Sequence, residues 1–147
     1  MIDLAILIPS VYERKEKLSI LTEELLRQTT NHNVIVISLC DNRKITIGEK
    51  RQKLLDMCEA KYFAFVDDDD WISEDYIESL VDGISQDSDV VTFNQQAEIN
   101  GEIFKVSFHL KSAAAELSND EEYNQRPAWH CCAWKTEKVK PYAKFSF

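Results

Sequence analysis

Tyr62-Phe63-Ala64-Phe65-Val66-Asp67-Asp68-Asp69-Asp70-Trp71 joins an unbroken apolar run to four consecutive carboxylates. The apolar half reads as a strand buried on both faces, because a strand covered on one side alone alternates apolar and polar residues. The acidic half begins where that strand ends. Two unit charges about 4 Å apart repel by roughly 1 kcal/mol in water and about 4 kcal/mol at an effective dielectric of 20, so a purely structural turn does not call for this arrangement. A bound divalent cation turns the same repulsion into affinity. Carboxylate oxygens suit Mg²⁺, Mn²⁺ or Ca²⁺, and open α/β sheets take their ligands beyond the carboxyl ends of their strands. The competing reading is an acidic surface turn feeding a helix.

Working outward, Leu4-Ala5-Ile6-Leu7-Ile8, closed by Pro9-Ser10, predicts a second buried strand, and Val34-Ile35-Val36-Ile37-Ser38-Leu39, closed by Cys40-Asp41-Asn42, a third. Between them Leu18, Leu21, Leu25 and Leu26 recur at helical spacing and predict an amphipathic helix over residues 14–28. Gly48 opens another helix with Leu54, Leu55 and Cys58 on its apolar side. Downstream of the aspartates, Ser73 is placed to cap a helix whose first turn carries Glu74 and Asp75 and whose buried face is Ile77, Leu80, Val81 and Ile84. Val90-Val91-Thr92-Phe93 predicts one more strand. The alternation defines an α/β chain with a mainly parallel sheet flanked by helices. After Asn94 the pattern changes. Asn100-Gly101 between two apolar-alternating segments signals a hairpin; residues 111–126 are polar and acidic and read as a mobile loop; Trp129 to Trp134 is aromatic again. No linker composition intervenes, so the expectation is a single domain over 1–147, regular over 1–95 and less regular over 96–147.

Composition limits the function classes. The net charge of -9 excludes a broad electrostatic grip on nucleic acid or an anionic membrane. The N-terminus lacks the basic start and apolar stretch of a signal peptide, and no apolar run reaches membrane-spanning length. With four cysteines in no C-x-x-C pair, these features predict a cytoplasmic protein with reduced, mostly buried thiols. An EF-hand is excluded: counted from Asp67, Trp71 stands at ligand position five and Ile72 where glycine is required. A response-regulator receiver needs acids after its first strand, where this chain has Pro9-Ser10.

With these residues in place, the chain resembles family 2 of the glycosyltransferases. The resemblance rests on Ala5-Ile6-Leu7-Ile8-Pro9-Ser10, on Asp41 after the second strand, on Ile47-Gly48-Glu49-Lys50-Arg51-Gln52, and on Phe65-Val66-Asp67-Asp68-Asp69-Asp70-Trp71, in that order and spacing. A weaker echo runs from Arg126 to Val139, and Arg126-Pro127-Ala128-Trp129-His130 resembles a phage and bacterial subgroup. The resemblance implies the GT-A (Rossmann-like) fold and metal-dependent transfer of a sugar from a nucleotide-diphosphate sugar, a UDP-sugar by preference, to an acceptor hydroxyl. It implies Mn²⁺ or Mg²⁺ on Asp69 and Asp67, with Asp67 also reaching the ribose and Asp68 and Asp70 assisting through water. Asp41 would contact the nucleobase, Arg51 would lie beside it, and Pro9 and Ser10 would line the nucleotide pocket.

Several alternatives stay open at this level. Asp41 serves a turn equally well, and Arg51 reads as an ordinary helix surface residue without the family. His130 stands between a substrate- or metal-side role and packing against Trp129 and Trp134. A zinc site of His130, Cys131 and Cys132 is disfavoured, since neighbours on a strand point to opposite faces. Lys135, Lys138, Lys140 and Lys144 read either as a phosphate-facing run or as a solvated face. The family often reads P-T-x-N-R in the first loop; here one extra residue precedes Arg14, so no role passes to Arg14. No catalytic base is identifiable, Asp120, Glu121 and Glu122 coming too early in the order, and the chain is expected to be truncated at its C-terminus. Tyr142, Phe145 and Phe147 then read as residues awaiting a partner surface, from missing chain or a homo-oligomer. The acceptor stays open among glycan, protein, lipid and modified nucleobase. A non-catalytic nucleotide-sugar module and a nucleotidyltransferase are the competing functions; the latter would show a Gly-rich basic loop after the first strand.

Overall fold

The computed structural model describes residues 1–110 and 123–145. The chain divides into two compact units, Met1–Val91 with Ala133–Phe147, and Thr92–Cys132.

In the first unit the apolar runs become neighbouring strands. β1 (Leu4–Val11) is buried from Leu4 to Ser10 because it has a parallel strand on each side, β2 (Val34–Asp41) and β3 (Tyr62–Phe65). Both registers start at Leu4, opposite Val34 and Tyr62. The sheet order is β2-β1-β3-β8-β4, in which β8 (Ala133–Lys135) runs antiparallel to both β3 and β4 (Val90–Val91). A mainly parallel sheet flanked by helices is therefore what forms.

The expectation of a fully buried second strand needs correction. β2 lies at the edge of the sheet and its residues alternate between half-buried and exposed, Ile35 being 41% exposed. An apolar run reports a strand; it does not report how many neighbours the strand has or how well they cover it.

α1 (Lys15–Thr29) buries Leu21 and Leu25, while Leu26 stays exposed, so its apolar stripe is narrower than the leucine spacing suggested. α2 (Ile47–Met57) starts on a capping box: the Thr46 hydroxyl accepts the Glu49 N–H and the Glu49 carboxylate accepts the Thr46 N–H. α3 (Tyr76–Ile84) begins later than predicted, and Ser73 does not cap it. Its first turn is instead capped from another helix. Gln28 of α1 accepts the Ile77 N–H at 3.0 Å through its side-chain oxygen and donates to the Ser73 carbonyl at 2.8 Å.

The core beneath β1 and β3 contains Ala5, Leu7, Leu54, Leu55, Cys58, Phe63 and Phe65. α4 (Thr136–Val139) and the segment after it cover this core. The Phe145 ring meets Phe65 edge to face at 5.6 Å, and its N–H donates to Gln52. Phe145 therefore packs on its own core rather than awaiting a partner; Tyr142 is exposed, and Phe147 lies outside the described residues. Lys140 donates to the Asp56 and Cys58 carbonyls at the end of α2, and Lys135 pairs with Asp87, so neither is a loose surface cation.

Gly83 is a packing requirement. A Cβ there would stand 2.5 Å from Val91 Cγ1. Gly83→Ala is expected to lower the melting temperature, because overpacking of about 1–3 kcal/mol outweighs the roughly 1 kcal/mol that alanine gains in a helix. Adding Val91→Ala to the same chain should recover part of the loss in thermal unfolding.

In the second unit β5 (Asn94–Ile99) and β6 (Glu102–His109) form the predicted hairpin. Asn100 (φ 53) and Gly101 (φ 83) both take the left-handed conformations that a two-residue turn demands. β7 (Asn124–Pro127) pairs with β6 in parallel, so the expected mobile loop is wrong for residues 124–126. Its remainder, 111–122, lies outside the described residues, as do Asp120, Glu121 and Glu122. Cys58 and Cys132 are buried, Cys131 half-buried and Cys40 exposed, and none is bridged. Among the described residues no helix is long and apolar enough to cross a membrane.

Candidate functional site

Because β1 and β3 are parallel neighbours, the residues that follow their carboxyl ends meet. The Val66 N–H donates to the Leu7 carbonyl at 3.1 Å, carrying the ladder one residue past β3, and the chain then turns, Asp70 N–H to Asp67 carbonyl at 3.0 Å. That turn sends successive carboxylates in different directions. Asp68 points inward and is 3% exposed; Asp67 and Asp69 remain accessible. A cavity of about 560 Å³ opens there, lined by Asp67, Asp68 and Asp69 together with Pro9, Ser10, Arg14, Arg43, Lys44 and Lys50.

Each aspartate of the wall has a partner. The Ser10 hydroxyl donates to Asp68 Oδ2 at 2.7 Å, and Arg14 Nη1 donates to Asp68 Oδ1 at 2.8 Å. The same Arg14 nitrogen lies 3.0 Å from Asp69 Oδ2. The Asp68 hydrogen bond and the charge of Asp69 hold the Arg14 guanidinium still more firmly protonated than usual. Arg51 reaches Asp67 with one nitrogen, 2.8 and 3.2 Å from its two oxygens, and its guanidinium carbon lies 5.9 Å above the Phe65 ring.

Behind the wall Lys50 is 2% exposed. Its ammonium donates to the Ser10 carbonyl at 2.7 Å and pairs with Asp41. Asp41 Oδ2 also accepts the N–H groups of Lys44 and Ile45, at 2.7 and 3.0 Å. Lys50 first, then these backbone donors, pull the Asp41 carboxyl from its ordinary 3.8 down to about 2. Asp41 thus ties the loop after β2 to α2 and to the end of β1. Arg43 in that loop is at φ 58, a conformation uncommon for residues with a side chain, and it pairs with Glu13.

Pro9, Ser10, Asp67, Asp68 and Asp69 therefore line one cavity. Asp41 and Arg51 stand next to it, holding parts of its wall. His130 belongs to the second unit, where its ring lies tilted on Trp129 with centroids 5.5 Å apart. Two residues escaped the sequence reading. Arg14 was set aside because of its spacing, although four adjacent carboxylates need a cation nearby. Lys50 stands one turn of helix after Thr46, the helix start, and that spacing is its signal in the sequence. Among the described residues no group of three or more His, Cys, Asp or Glu side chains is arranged to hold a metal ion.

Taken together, fold and cavity define an α/β protein with an open cavity at the carboxyl ends of parallel strands. Solved structures share this fold. S. aureus TarS 1-349 in complex with UDP superposes with a TM-score of 0.62 at 15% identity, over 95% of this chain and 48% of that one. The same protein in complex with UDP-GlcNAc gives 0.59 at 16% identity, over 95% and 47%. The chain thus spans about half the length of these structures. No curated protein matches it by sequence. Residues 19–136 match Glycosyl transferase family 2, and the chain belongs to that family.

Proposed function

We propose that the chain binds a nucleotide-diphosphate sugar, a UDP-sugar by preference, in this cavity and transfers its sugar to an acceptor hydroxyl. The observation that carries the reading is the meeting of Asp67–Asp69 with Arg14, Arg43, Lys44 and Lys50 in one cavity of a family 2 chain. An anionic diphosphate and a divalent cation together match a lining that carries both signs of charge.

The donor set also fits Mn²⁺ or Mg²⁺. Asp67 and Asp69 offer hard oxygens on the open side of the turn, and diphosphate oxygens complete such sites in general. When bound there, the ion supplies Lewis-acid neutralisation of charge on the leaving diphosphate. The chain's own groups do the rest. Asp68, fixed by Ser10 and Arg14, sets the turn that presents its two neighbours. Lys50 and Asp41 hold the loop carrying Arg43 and Lys44 against the end of β1, where the nucleoside is placed by this reading. Arg43 and Lys44 contribute positive charge at the cavity wall. The residue that accepts the proton of the attacking hydroxyl lies outside this proposal.

Calorimetric titration with UDP tests the reading. Binding in Mn²⁺ should be at least about tenfold tighter than in chelator, a usual size for coupled ligands. Asp69→Ala should remove that difference. Equal affinity with and without the cation would overturn the metal assignment, and absence of binding in both would overturn the donor site itself.

A further inference from the structure

The two arginines on the aspartate wall are held to different degrees. Arg51 projects from a capped helix, its side chain is 15% exposed, and it lies above Phe65. Arg14 ends a short 3-10 turn, Tyr12–Arg14, its side chain is 44% exposed, and a single nitrogen serves both Asp68 and Asp69. Arg14 can therefore move without uncovering packed surface of its own, leaving the enclosed Asp68 with the Ser10 hydrogen bond and freeing the 40%-exposed Asp69, whereas Arg51 cannot leave without uncovering packed surface. A cation approaching Asp69 with Arg14 in place meets a positive charge a few ångströms away. A diphosphate entering the same cavity offers Arg14 a second anion of suitable geometry, since a guanidinium binds phosphate and carboxylate alike.

We propose that Arg14 is a latch that makes cation binding conditional on the diphosphate. It neutralises Asp68 and Asp69 while the cavity holds no anion. When a nucleoside diphosphate enters, Arg14 transfers to the phosphate oxygens and Asp69 becomes available. Coupling of this kind is reciprocal, so the cation tightens the nucleotide by the same factor. The inference rests on the donor-site reading above and adds to it an order: little cation alone, both ligands together.

The test is to count free Mn²⁺ by electron paramagnetic resonance over the chain alone, with UDP, and with inorganic pyrophosphate, correcting for Mn²⁺ held by each phosphate in solution. For the native chain, UDP should tighten Mn²⁺ roughly ten- to hundredfold, and pyrophosphate should give much of the same effect. Arg14→Met should bind Mn²⁺ alone about tenfold more tightly than the native chain and lose most of the coupling. Arg14→Lys, which keeps the charge, should retain weak binding of Mn²⁺ alone. Arg14→Met leaves the enclosed Asp68 carboxylate with the Ser10 hydroxyl alone and should melt at a lower temperature, whereas Arg14→Lys should melt near the native chain; titrations made below the lower transition are the check on their fold. If Arg14→Met binds Mn²⁺ alone no better than the native chain, or keeps the native coupling to UDP, the latch is wrong while the donor site stands; if UDP leaves the Mn²⁺ affinity of the native chain unchanged, the metal assignment falls and the latch with it. If neither UDP nor Mn²⁺ binds any form, the donor site falls and the latch with it.

Discussion

Lys50→Met should cost roughly 2–3 kcal/mol in urea unfolding, somewhat below the 3–5 kcal/mol of a fully enclosed ion pair. The discount follows from geometry: Lys50 is enclosed, but the Asp41 side chain is 17% exposed, so water can partly replace the lost ammonium. Methionine fills the channel that the lysine stem occupies, which separates the loss of charge from the opening of a cavity. The variant should also bind UDP more weakly, because the Ser10 carbonyl and Asp41 lose their common anchor. The acid limb of the stability curve gives an independent check. The Asp41 carboxyl titrates lower in the folded chain than its ordinary 3.8, near 2, so its contribution is present above about pH 4 and is lost as the pH falls towards 2. Lys50, the main cause of that depression, is absent from the variant. Its stability should therefore fall less steeply between pH 5 and pH 2 than that of the native chain. Equal slopes would mean that the pair does not form in solution.

Phe65→Ala is expected to have the larger effect, about 3–5 kcal/mol, the range for an enclosed phenylalanine. The ring is fully buried and meets Phe63 and Phe145 edge to face, each at 5.6 Å. It also lies below the Arg51 guanidinium that holds Asp67. A cavity at this point removes support from the aspartate wall as well as from the core, so UDP binding should weaken even where the chain remains folded. Phe145→Ala, at a half-buried position, should cost about 1–2 kcal/mol from lost apolar contact. If Phe145→Ala leaves urea unfolding unchanged, the segment after α4 does not cover the core in solution.

The parts of the fold legible in the sequence were those set by short-range pattern. The apolar runs at Leu4 and Tyr62, the period of α1 and the Asn100-Gly101 turn all announce themselves within a few residues. Pairings that depend on distant chain were not legible. Nothing local in Ala133-Trp134-Lys135 says that it will insert between β3 and β4, or that β2 will be left at an edge. The start of α3 was misplaced for the same reason, since its cap comes from Gln28, 49 positions away from Ile77. Thr46-x-x-Glu49, by contrast, is a capping box whose spacing marks the helix start within four residues. At the site, the aspartates and Ser10 stood out by residue type and position, whereas Arg14 and Lys50 became legible only when their partners were known.

The double hydrogen bond of Gln28 limits how the length of this chain can vary. The aspartate turn is pinned at one end where Val66 joins Leu7, and at the other where Gln28 holds Ser73 and Ile77. The span between those two pins has a set length. In a library of insertions and deletions, changes within residues 67–72 should be eliminated under selection for nucleotide binding, because an added or removed residue must either break a pin or turn the carboxylates away from the cavity. Shortening the side chain at position 28 should relax that restriction, so length variants of the turn ought to be recovered preferentially alongside replacements of Gln28.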